Sequence, residues 1–429
     1  MNDALFLWDE NGTVIQVYKK SILRELLREH IRIGRAQALD SVTAHVRFRR
    51  LVLKSSDNGV HMENQEKKRI LYVVEAFGGG VFSYLVGLTK KLAEKYEIYI
   101  LFGMRDQTPA DYESYFDRRV HLIQVKNFTR KIDPKSDIRA FRELRKLAKE
   151  INPDIIHLHS SKAGAIGRFA FQGRKVPVFY TPHGYSFLME NQSRKKCLMY
   201  KLIEGICAMR KSTTISCSVG EHRETLKLTK RAEYVNNGVD VQELQRIISA
   251  VPAAPEDAPA TVCTLGRITY QKNPALFCKI AAALPQVQFV WIGDGELRSE
   301  LTAENITVTG WVKREEAIAL CMKSRIFLLP SLWEGFPISL LEAMYMKKLA
   351  VVSDVIGNRD VVHNQVNGFV CKTLDEYVAA IRRGVQMDAD CRAYIEHAYR
   401  EILSEYSLDV MCGKYDEIYQ RALNACQKD

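Results

Sequence analysis

From Arg69 onward the chain alternates between short runs of β-branched and aromatic residues and longer stretches with helical spacing. The short runs predict strands, and the longer stretches, such as 84–95 and 136–151, predict the helices that connect them. Strands that alternate with helices are typical of an α/β fold with a parallel sheet covered on both faces. The strands predicted in the first half are 70–74, 97–102, 120–125, 154–158, 177–180 and 213–216.

The alternation stops at residues 251–260, where three prolines fall within ten residues, and it restarts at Thr261. Proline-rich sequence with little apolar bulk is typical of a linker. We therefore predict two doubly wound domains, 67–250 and 261–390, joined by the linker 251–260. Helices over 391–429 are expected to pack back toward the first domain. The strands predicted in the second half are 261–265, 287–292, 306–308, 325–329, 350–352 and 368–370.

The first 66 residues do not follow this alternation. Residues 19–54 contain ten Lys and Arg against three Asp and Glu, with apolar residues near helical spacing. Such a segment fits a basic amphipathic helix on a membrane surface, or a solvated extension. We assign 1–66 as an amino-terminal extension of open role, and Met62 as a candidate native start.

Charge and cysteine content narrow the class of protein. The net charge of +11 fits an anionic membrane surface, or simply a solvated basic surface. No nucleic-acid-binding signature accompanies it, so we expect no nucleic acid partner. Ten scattered cysteines without a C-x-x-C pair argue against a zinc site and suit a reducing cytoplasm. With no signal peptide and no apolar run long enough to span a bilayer, we expect a cytoplasmic protein, with peripheral attachment to the inner face of the plasma membrane as an option.

The stretch from Pro330 to Met344 combines two glutamates with the start of a helix. Glu334 ends a loop after a strand, and Glu342 follows eight positions later. Pro337 suits the first turn of a helix, whose free N–H groups and positive dipole end favour a sugar diphosphate. Gly335 lets the backbone approach a ligand closely. Glu342, on the second turn, is placed to accept hydrogen bonds from a ribose diol.

This Glu-x7-Glu stretch resembles the motif of retaining glycosyltransferase family 4, which has the GT-B fold of two Rossmann-like domains facing across a cleft. The resemblance extends from about Lys68 to the carboxyl terminus and points to bacterial capsular, exopolysaccharide and lipopolysaccharide enzymes. It implies transfer of a sugar from a nucleotide diphosphate, with UDP expected, to a glycan or lipid-linked saccharide. It also implies a catalytic Glu334, and donor binding by Gly335, Phe336, Pro337, Ile338 and Glu342.

Three further loops take donor-binding roles through the same resemblance. Arg267 and Lys272 follow a strand, where a bidentate guanidinium and an ammonium suit a departing diphosphate. In similar family members the matching residues bind the donor diphosphate. The turn with Gly79 and Gly80 follows the first strand of the domain and lacks the dinucleotide pattern, so NAD is not indicated. Val312 lies in a loop that contacts the nucleotide base in the family.

His183 follows the fifth strand in a loop flanked by Pro182 and Gly184. A lone histidine near an apolar strand is more often a packed core residue, but the family presents a histidine from this loop to the donor sugar. His183 is therefore assigned a catalytic role with Glu334. His159 and Lys162, just after the fourth strand, are assigned to the acceptor side by resemblance to polysaccharide-assembling members.

No metal or other cofactor is expected, because no Asp-x-Asp motif precedes these loops and the diphosphate has basic side chains instead. The family transfers with retention, commonly described as front-face attack in which the departing phosphate takes the proton of the acceptor. Two alternatives stay open. One is a nucleotide-sugar 2-epimerase of the same fold, and the other is a non-catalytic subunit that scaffolds a partner glycosyltransferase.

Overall fold

The computed structural model describes two short strands near the amino terminus together with residues 67–129, 133–171, 176–189, 192–252 and 260–426. Residues Met1–Glu66 and Lys67–Asp429 are separate units. In the first unit, β1 (Ala4–Trp8) pairs antiparallel with β2 (Val14–Lys19). The sequence pattern did not predict this hairpin. The basic stretch from residue 20 to 54, and Met62, lie outside the described residues.

A parallel sheet of seven strands forms the centre of the first domain, in the order β5-β4-β3-β6-β7-β8-β9. The chain order reverses between β3 and β6, which makes the carboxyl ends of these strands a topological switch point, where ligands bind in open α/β sheets. The strands are β3 (Arg69–Val74), β4 (Glu97–Phe102), β5 (Val120–Gln124), β6 (Ile155–His159), β7 (Val178–Thr181), β8 (Thr213–Ser216) and β9 (Ala232–Tyr234).

Six helices accompany this part of the chain within the described residues. Four of them begin at a side chain that caps the first turn: Asp133, Ser193, Ser218 and Asp240 each accept a backbone N–H. The helices are α1 (Gly79–Leu92), α2 (Pro134–Ile151), α3 (Ser161–Ala170), α4 (Arg194–Ala208), α5 (Val219–Leu226) and α6 (Val241–Ser249).

The second domain repeats the plan with six parallel strands in the order β12-β11-β10-β13-β14-β15. Its switch point lies between β10 and β13. The strands are β10 (Thr261–Leu265), β11 (Gln288–Ile292), β12 (Ile306–Val308), β13 (Ile326–Leu329), β14 (Leu349–Ser353) and β15 (Phe369–Cys371). The helices in the remaining part of the chain are α7 (Pro274–Ala282), α8 (Arg314–Met322), α9 (Ile338–Tyr345), α10 (Leu374–Gln386), α11 (Ala389–Glu405) and α12 (Leu408–Cys426).

The last two helices belong to different domains. α11 packs on α9, and its Ala398 and Ile402 are buried in a core of the second domain. α12 packs on α1, and its apolar side chains complete the main core of the first domain. The chain changes domain beside Val239, whose N–H donates to the carbonyl of Tyr406 and whose carbonyl accepts from Leu408, both at 2.8 Å.

The strands predicted from residue 69 onward are confirmed to within about one residue at each end. The short edge strand β9 was missed because three residues are too few to show a strand pattern. Pro337 was expected in the first turn of a helix, but it is the N-cap of α9, so the helix begins one residue later. Among the described residues, no helix is both long enough and apolar enough to cross a membrane.

Candidate active site

The loop after β7 in the first domain meets the loop after β13 in the second. A Cβ atom placed on Gly335 would lie 3.2 Å from the nitrogen of Gly184 and from the carbonyl oxygen of His183. Few Cβ atoms have contacts this short, so a side chain at Gly335 would require one of the two backbones to shift slightly. The backbones of the two predicted catalytic loops therefore touch, and they place His183 and Glu334 at the same junction of the two sheets.

The turn at His183 has an unusual backbone that a buried carboxylate supports. His183 and Gly184 have φ values of 56° and 95°, so both lie in the left-handed region. A non-glycine residue there is typical of strained functional turns. Glu221 accepts the N–H of Gly184 at 2.7 Å and that of Cys217 at 2.8 Å. Burial raises the pKa of Glu221, while these backbone donors lower it.

A buried cluster of histidines and tyrosines lies behind His183. Nε2 of His183 is 3.0 Å from Nδ1 of His159. In the same cluster, Nδ1 of His157 lies 2.6 Å from the hydroxyl of Tyr419, and its Nε2 lies 2.8 Å from the hydroxyl of Thr181. Burial lowers the pKa of His157 and His159 well below the ordinary value, and lowers the pKa of His183 to about 3. All three rings are therefore neutral near pH 7, and the pair at 3.0 Å shares one proton between two nitrogens.

The two residues assigned to the acceptor side are both enclosed. The side chain of His159 is completely buried, and its Nδ1 lies 3.0 Å from Nε2 of His183. Lys162 pairs with Asp137 at 2.7 Å and donates to the carbonyl of Thr129. The acceptor-side assignment of these two residues stays a prediction.

Lys272 and Glu334 form a well-defined ion pair in the second domain. Nζ of Lys272 lies 2.7 Å from Oε1 of Glu334, and the side chains are only 18% and 7% exposed. Gln271 donates to the other Glu334 oxygen at 3.3 Å and to the carbonyl of Trp333 at 2.9 Å. The loop after β10 therefore orients the predicted catalytic carboxylate, a role that the sequence did not suggest for Gln271.

Arg267 has a different carboxylate partner. Its guanidinium lies 3.4 Å from both oxygens of Glu296, at a more exposed position than Lys272. The two residues predicted to bind the diphosphate therefore lie on one loop, but each forms an ion pair with a different glutamate.

Glu342 is buried on α9, where it accepts a hydrogen bond from Arg314 at 2.7 Å. This bond uses one carboxylate oxygen and fixes the side chain near the helix start. Asn237 of the first domain donates to the carbonyl of Phe336 at 3.1 Å. Both Arg314 and Asn237 were missed, because they lie far from Glu342 in sequence and belong to no motif.

Several loops predicted to bind donor or acceptor share one local feature, but the loop of Arg267 and Lys272 does not, because Asn273 caps the helix α7 that follows it. Within the described residues, α1, α3, α8 and α9 begin without a side-chain cap, whereas α2, α4, α5, α6, α7, α10 and α11 have one. The uncapped helices start at or beside the loops of Gly79 and Gly80, His159, Val312, and Pro337 and Ile338. Free N–H groups at a helix start attract anions. In the same part of the chain, no group of three or more His, Cys, Asp or Glu could hold a metal ion.

Comparison with known proteins agrees with this geometry. A family model described as "Glycosyltransferase Family 4" matches residues 78–243, and one described as "Glycosyl transferases group 1" matches residues 245–401. The Escherichia coli protein "UDP-Gal:alpha-D-GlcNAc-diphosphoundecaprenol alpha-1,3-galactosyltransferase" is 30% identical over 337 residues, 71% of this chain and 85% of its own. The chain belongs to glycosyltransferase family 4.

A second relative of this family 4 glycosyltransferase, from Campylobacter jejuni, is 21% identical over 81% of this chain and 97% of its own. Its name is "N,N'-diacetylbacillosaminyl-diphospho-undecaprenol alpha-1,3-N-acetylgalactosaminyltransferase". Among solved structures, the Anabaena protein HepE in complex with UDP-glucose matches with a TM-score of 0.65 and 16% identity, over 82% of this chain and 99% of HepE. Sucrose-phosphate synthase from Thermosynechococcus elongatus matches with a TM-score of 0.69 and 15% identity, over 84% of this chain and all of its own. The GT-B fold and the glycosyltransferase class predicted from the sequence are confirmed.

One residue of the site carried a misleading sequence signal. Ser218 and Glu221 have the spacing of a capping box, and Ser218 does cap α5. The carboxylate of Glu221 instead reaches Cys217 and Gly184, and so it supports the turn at His183. The sequence analysis also missed Asp360. Its carboxylate accepts the N–H of Gly220 at 2.9 Å and that of Gly357 at 3.4 Å, and it thereby links the two domains.

Proposed function

We propose that this enzyme transfers a hexose, with retention, from a UDP-sugar to an undecaprenyl-diphosphate-linked saccharide during cell-surface polysaccharide synthesis. The observation that supports the proposal is the contact of the His183 turn with the Glu334 loop, beside the free start of α9. The names of the Escherichia coli and Campylobacter jejuni relatives support this acceptor class, and the former makes UDP-galactose the first donor to test.

We assign the donor diphosphate to Arg267, Lys272 and the N–H groups at the start of α9. The ammonium of Lys272 has three donors, of which one serves Glu334, so it can bind a phosphate and still orient the carboxylate. The second oxygen of Glu342 is assigned to the ribose hydroxyls, because Arg314 holds the first. Gly79 and Gly80 face open space, which leaves room for a phosphate against the start of α1.

In the proposed step, the bond between the anomeric carbon and the diphosphate oxygen breaks as the acceptor hydroxyl oxygen bonds to the same carbon on the same face. The acceptor proton passes to the departing phosphate oxygen, so the products are the glycoside and UDP. Arg267, Lys272 and the helix start stabilise the charge that grows on the diphosphate. Glu334 and the backbone of the His183 turn are assigned to the sugar, where they hold the anomeric carbon with its diphosphate-bearing face toward the acceptor hydroxyl.

Incubation of the purified enzyme with four UDP-hexoses and N-acetylglucosaminyl-diphospho-undecaprenol tests the proposal. We expect UDP release and an acceptor heavier by one hexose residue with one donor, the new linkage being α by NMR. An enzyme that converts UDP-N-acetylglucosamine to its 2-epimer without acceptor would replace the proposal with the epimerase alternative. No turnover with any donor, despite donor binding, would favour the scaffolding subunit.

We further propose that transfer takes place at the cytoplasmic face of the membrane, because a polyprenyl-linked acceptor stays in the bilayer while the nucleotide sugar is soluble. The net charge of +11 supports attraction to an anionic leaflet.

A further inference from the structure

α4 exposes apolar side chains along one side while the opposite side is buried. Leu198, Leu202 and Met209 are 70%, 63% and 74% exposed, and Ile206 completes a row at spacings of four, four and three residues. Residues with this spacing lie on one face of a helix. The buried side of the helix holds Glu204, Cys207 and Ala208. We call the exposed row the α4 stripe.

Basic side chains surround the α4 stripe. Residues 194–211 contain six Lys and Arg and a single acidic residue, Glu204. Glu204 is buried and pairs with Arg168 at 2.6 Å, so it does not offset the exposed positive charge. The cations are Arg194, Lys195, Lys196, Lys201, Arg210 and Lys211.

An open apolar groove of about 430 Å³ continues the stripe. It runs between α2, α3 and α4, and its lining includes Ile138, Phe169, Ile203 and Ile206. The side chains of Ile138 and Phe169 are 53% and 44% exposed. Three helices therefore present one continuous apolar face, and exposed apolar faces of this kind mark protein or membrane contacts.

We propose that this face docks the enzyme on an anionic lipid bilayer, with the α4 stripe inserted among the acyl chains and the six cations on the headgroups. Charge selects this occupant over a second copy of the chain, since two copies would bring twelve positive charges together across an apolar contact. An interfacial helix has this combination of apolar face and basic border. Docking by this face would bring the lipid of the acceptor beside the first domain. That consequence rests on the proposed function, whereas the docking itself does not depend on the reaction.

Flotation of the full chain with vesicles tests the docking surface. We expect binding to vesicles that contain phosphatidylglycerol, weak binding to pure phosphatidylcholine, and partial loss of binding in high salt. Leu202→Glu should reduce the bound fraction roughly tenfold, because it puts a charge in the acyl region and opposes the anionic headgroups. Leu403→Glu is the matched control, since Leu403 is 43% exposed on α11 of the second domain. Equal binding of wild type and Leu202→Glu would overturn the proposal.

Insertion has a separate readout that does not depend on a destabilising charge. Brominated phosphatidylglycerol should quench the added fluorescence of Leu202→Trp strongly and that of Leu403→Trp little. Equal quenching of the two variants would contradict insertion. A wild-type chain that forms a dimer but does not bind vesicles, and a Leu202→Glu variant that is monomeric, would assign the face to a second copy. UDP-sugar protection against thermal unfolding, measured on the same variants, reports donor binding independently. A variant that loses vesicle binding but is still protected by the UDP-sugar therefore shows a docking defect alone, and the proposed reaction is not affected by it.

Discussion

Glu334 and Glu342 stand eight residues apart, yet the structure gives them different surroundings. Glu334 is held by Lys272 and Gln271 at the junction of the domains, whereas Glu342 is buried on α9 with Arg314. A carboxylate beside the reacting sugar contributes to the transition state, and one on the ribose contributes to donor binding before and after reaction. Their substitution should therefore affect different kinetic constants.

We expect Glu334→Ala to lower kcat and Glu342→Ala to raise the KM for the donor. Loss of a charge-assisted hydrogen bond costs roughly 1.5–3 kcal/mol, or about ten- to a hundredfold in kcat/KM. Steady-state kinetics with varied UDP-sugar measures both constants. Glu396→Ala is the control, because Glu396 is exposed on α11 and pairs only with Lys347 among its described contacts. Wild-type constants in both active-site variants would remove these residues from the site.

Glu221 acts on the backbone of the His183 turn and should behave as a positioning residue. Glu221→Gln keeps one carbonyl acceptor but removes the charge, so the N–H groups of Gly184 and Cys217 can no longer both bond to a carboxylate. We expect kcat to fall about tenfold with little change in the KM for the donor. Glu224→Gln on the same helix is the matched control, since Glu224 pairs with Lys227 near the surface. A change confined to thermal stability would reduce Glu221 to a purely structural role.

At the scale of elements, residues at helix starts are of two kinds: those that cap the helix and those that leave room for a ligand. Asp133, Ser193 and Asp240 could be read from the sequence as caps, because short polar side chains before a helical pattern are typical N-caps. Gly80 has no such structural reason, since it lies within α1, its φ is not left-handed, and a Cβ would meet nothing within 4 Å. Because Gly80 also lies in the loop assigned to the donor phosphate, we attribute this glycine to the ligand rather than to the fold.

Gly80→Ala should therefore raise stability and lower donor affinity together. Alanine in a helix is favoured over glycine by about 0.5–1 kcal/mol, while the added methyl group would occupy space assigned to a phosphate. Gly413→Ala on α12 is the matched control, because that position is also helical and open. Thermal unfolding with and without UDP checks the prediction. An increase in Tm for both variants with unchanged UDP protection would show that Gly80 does not face the donor.

The strands of both sheets could be predicted because buried parallel strands are continuous apolar runs, as in Ile326–Leu329. The loops that hold Glu334 and Lys272 followed from their position at strand ends. Contacts between distant segments had no local signal. Tyr419 reaches His157 across 262 residues of sequence, and Asn237 reaches Phe336 across 99. These contacts depend on how the domains pack, which no short pattern contains.

At the scale of the whole molecule, the buried histidines link stability to pH. His157 and His159 are completely buried and their pKa values are lowered, whereas an unfolded histidine titrates near pH 6.5. The unfolded chain therefore binds more protons below that pH, so the stability these neutral rings provide is present above about pH 6.5 and is lost as the pH falls.

We expect the free energy of unfolding to fall by about 1.4 kcal/mol per pH unit for each such histidine below pH 6.5. His159→Phe should reduce the slope of the unfolding free energy against pH by that amount, even if the absolute stability of the variant also changes. His397→Phe is the control, because His397 is exposed on α11. Urea unfolding at a series of pH values gives the slopes. Parallel curves for wild type and His159→Phe would mean that His159 is charged or accessible in the folded protein.

The reaction is also expected to proceed without a metal ion, since Arg267, Lys272 and the start of α9 are assigned to the charge of the leaving group. Turnover should survive dialysis against EDTA within about twofold, a change of roughly 0.4 kcal/mol in the barrier. Added Mg²⁺ or Mn²⁺ should not raise it further. Activity that disappears with EDTA and returns with either ion would assign the leaving group to a metal.

The packing of α12 has a consequence for synthesis on the ribosome. The first strand of the first domain begins at Arg69, but Met411, Tyr415 and Tyr419 of α12 belong to the main core of that domain. Its hydrophobic centre therefore stays incomplete until translation has passed the whole second domain and α12. We infer that the second domain can finish folding first, reversing the order of synthesis, and that the nascent first domain needs protection from aggregation until α12 has been synthesised.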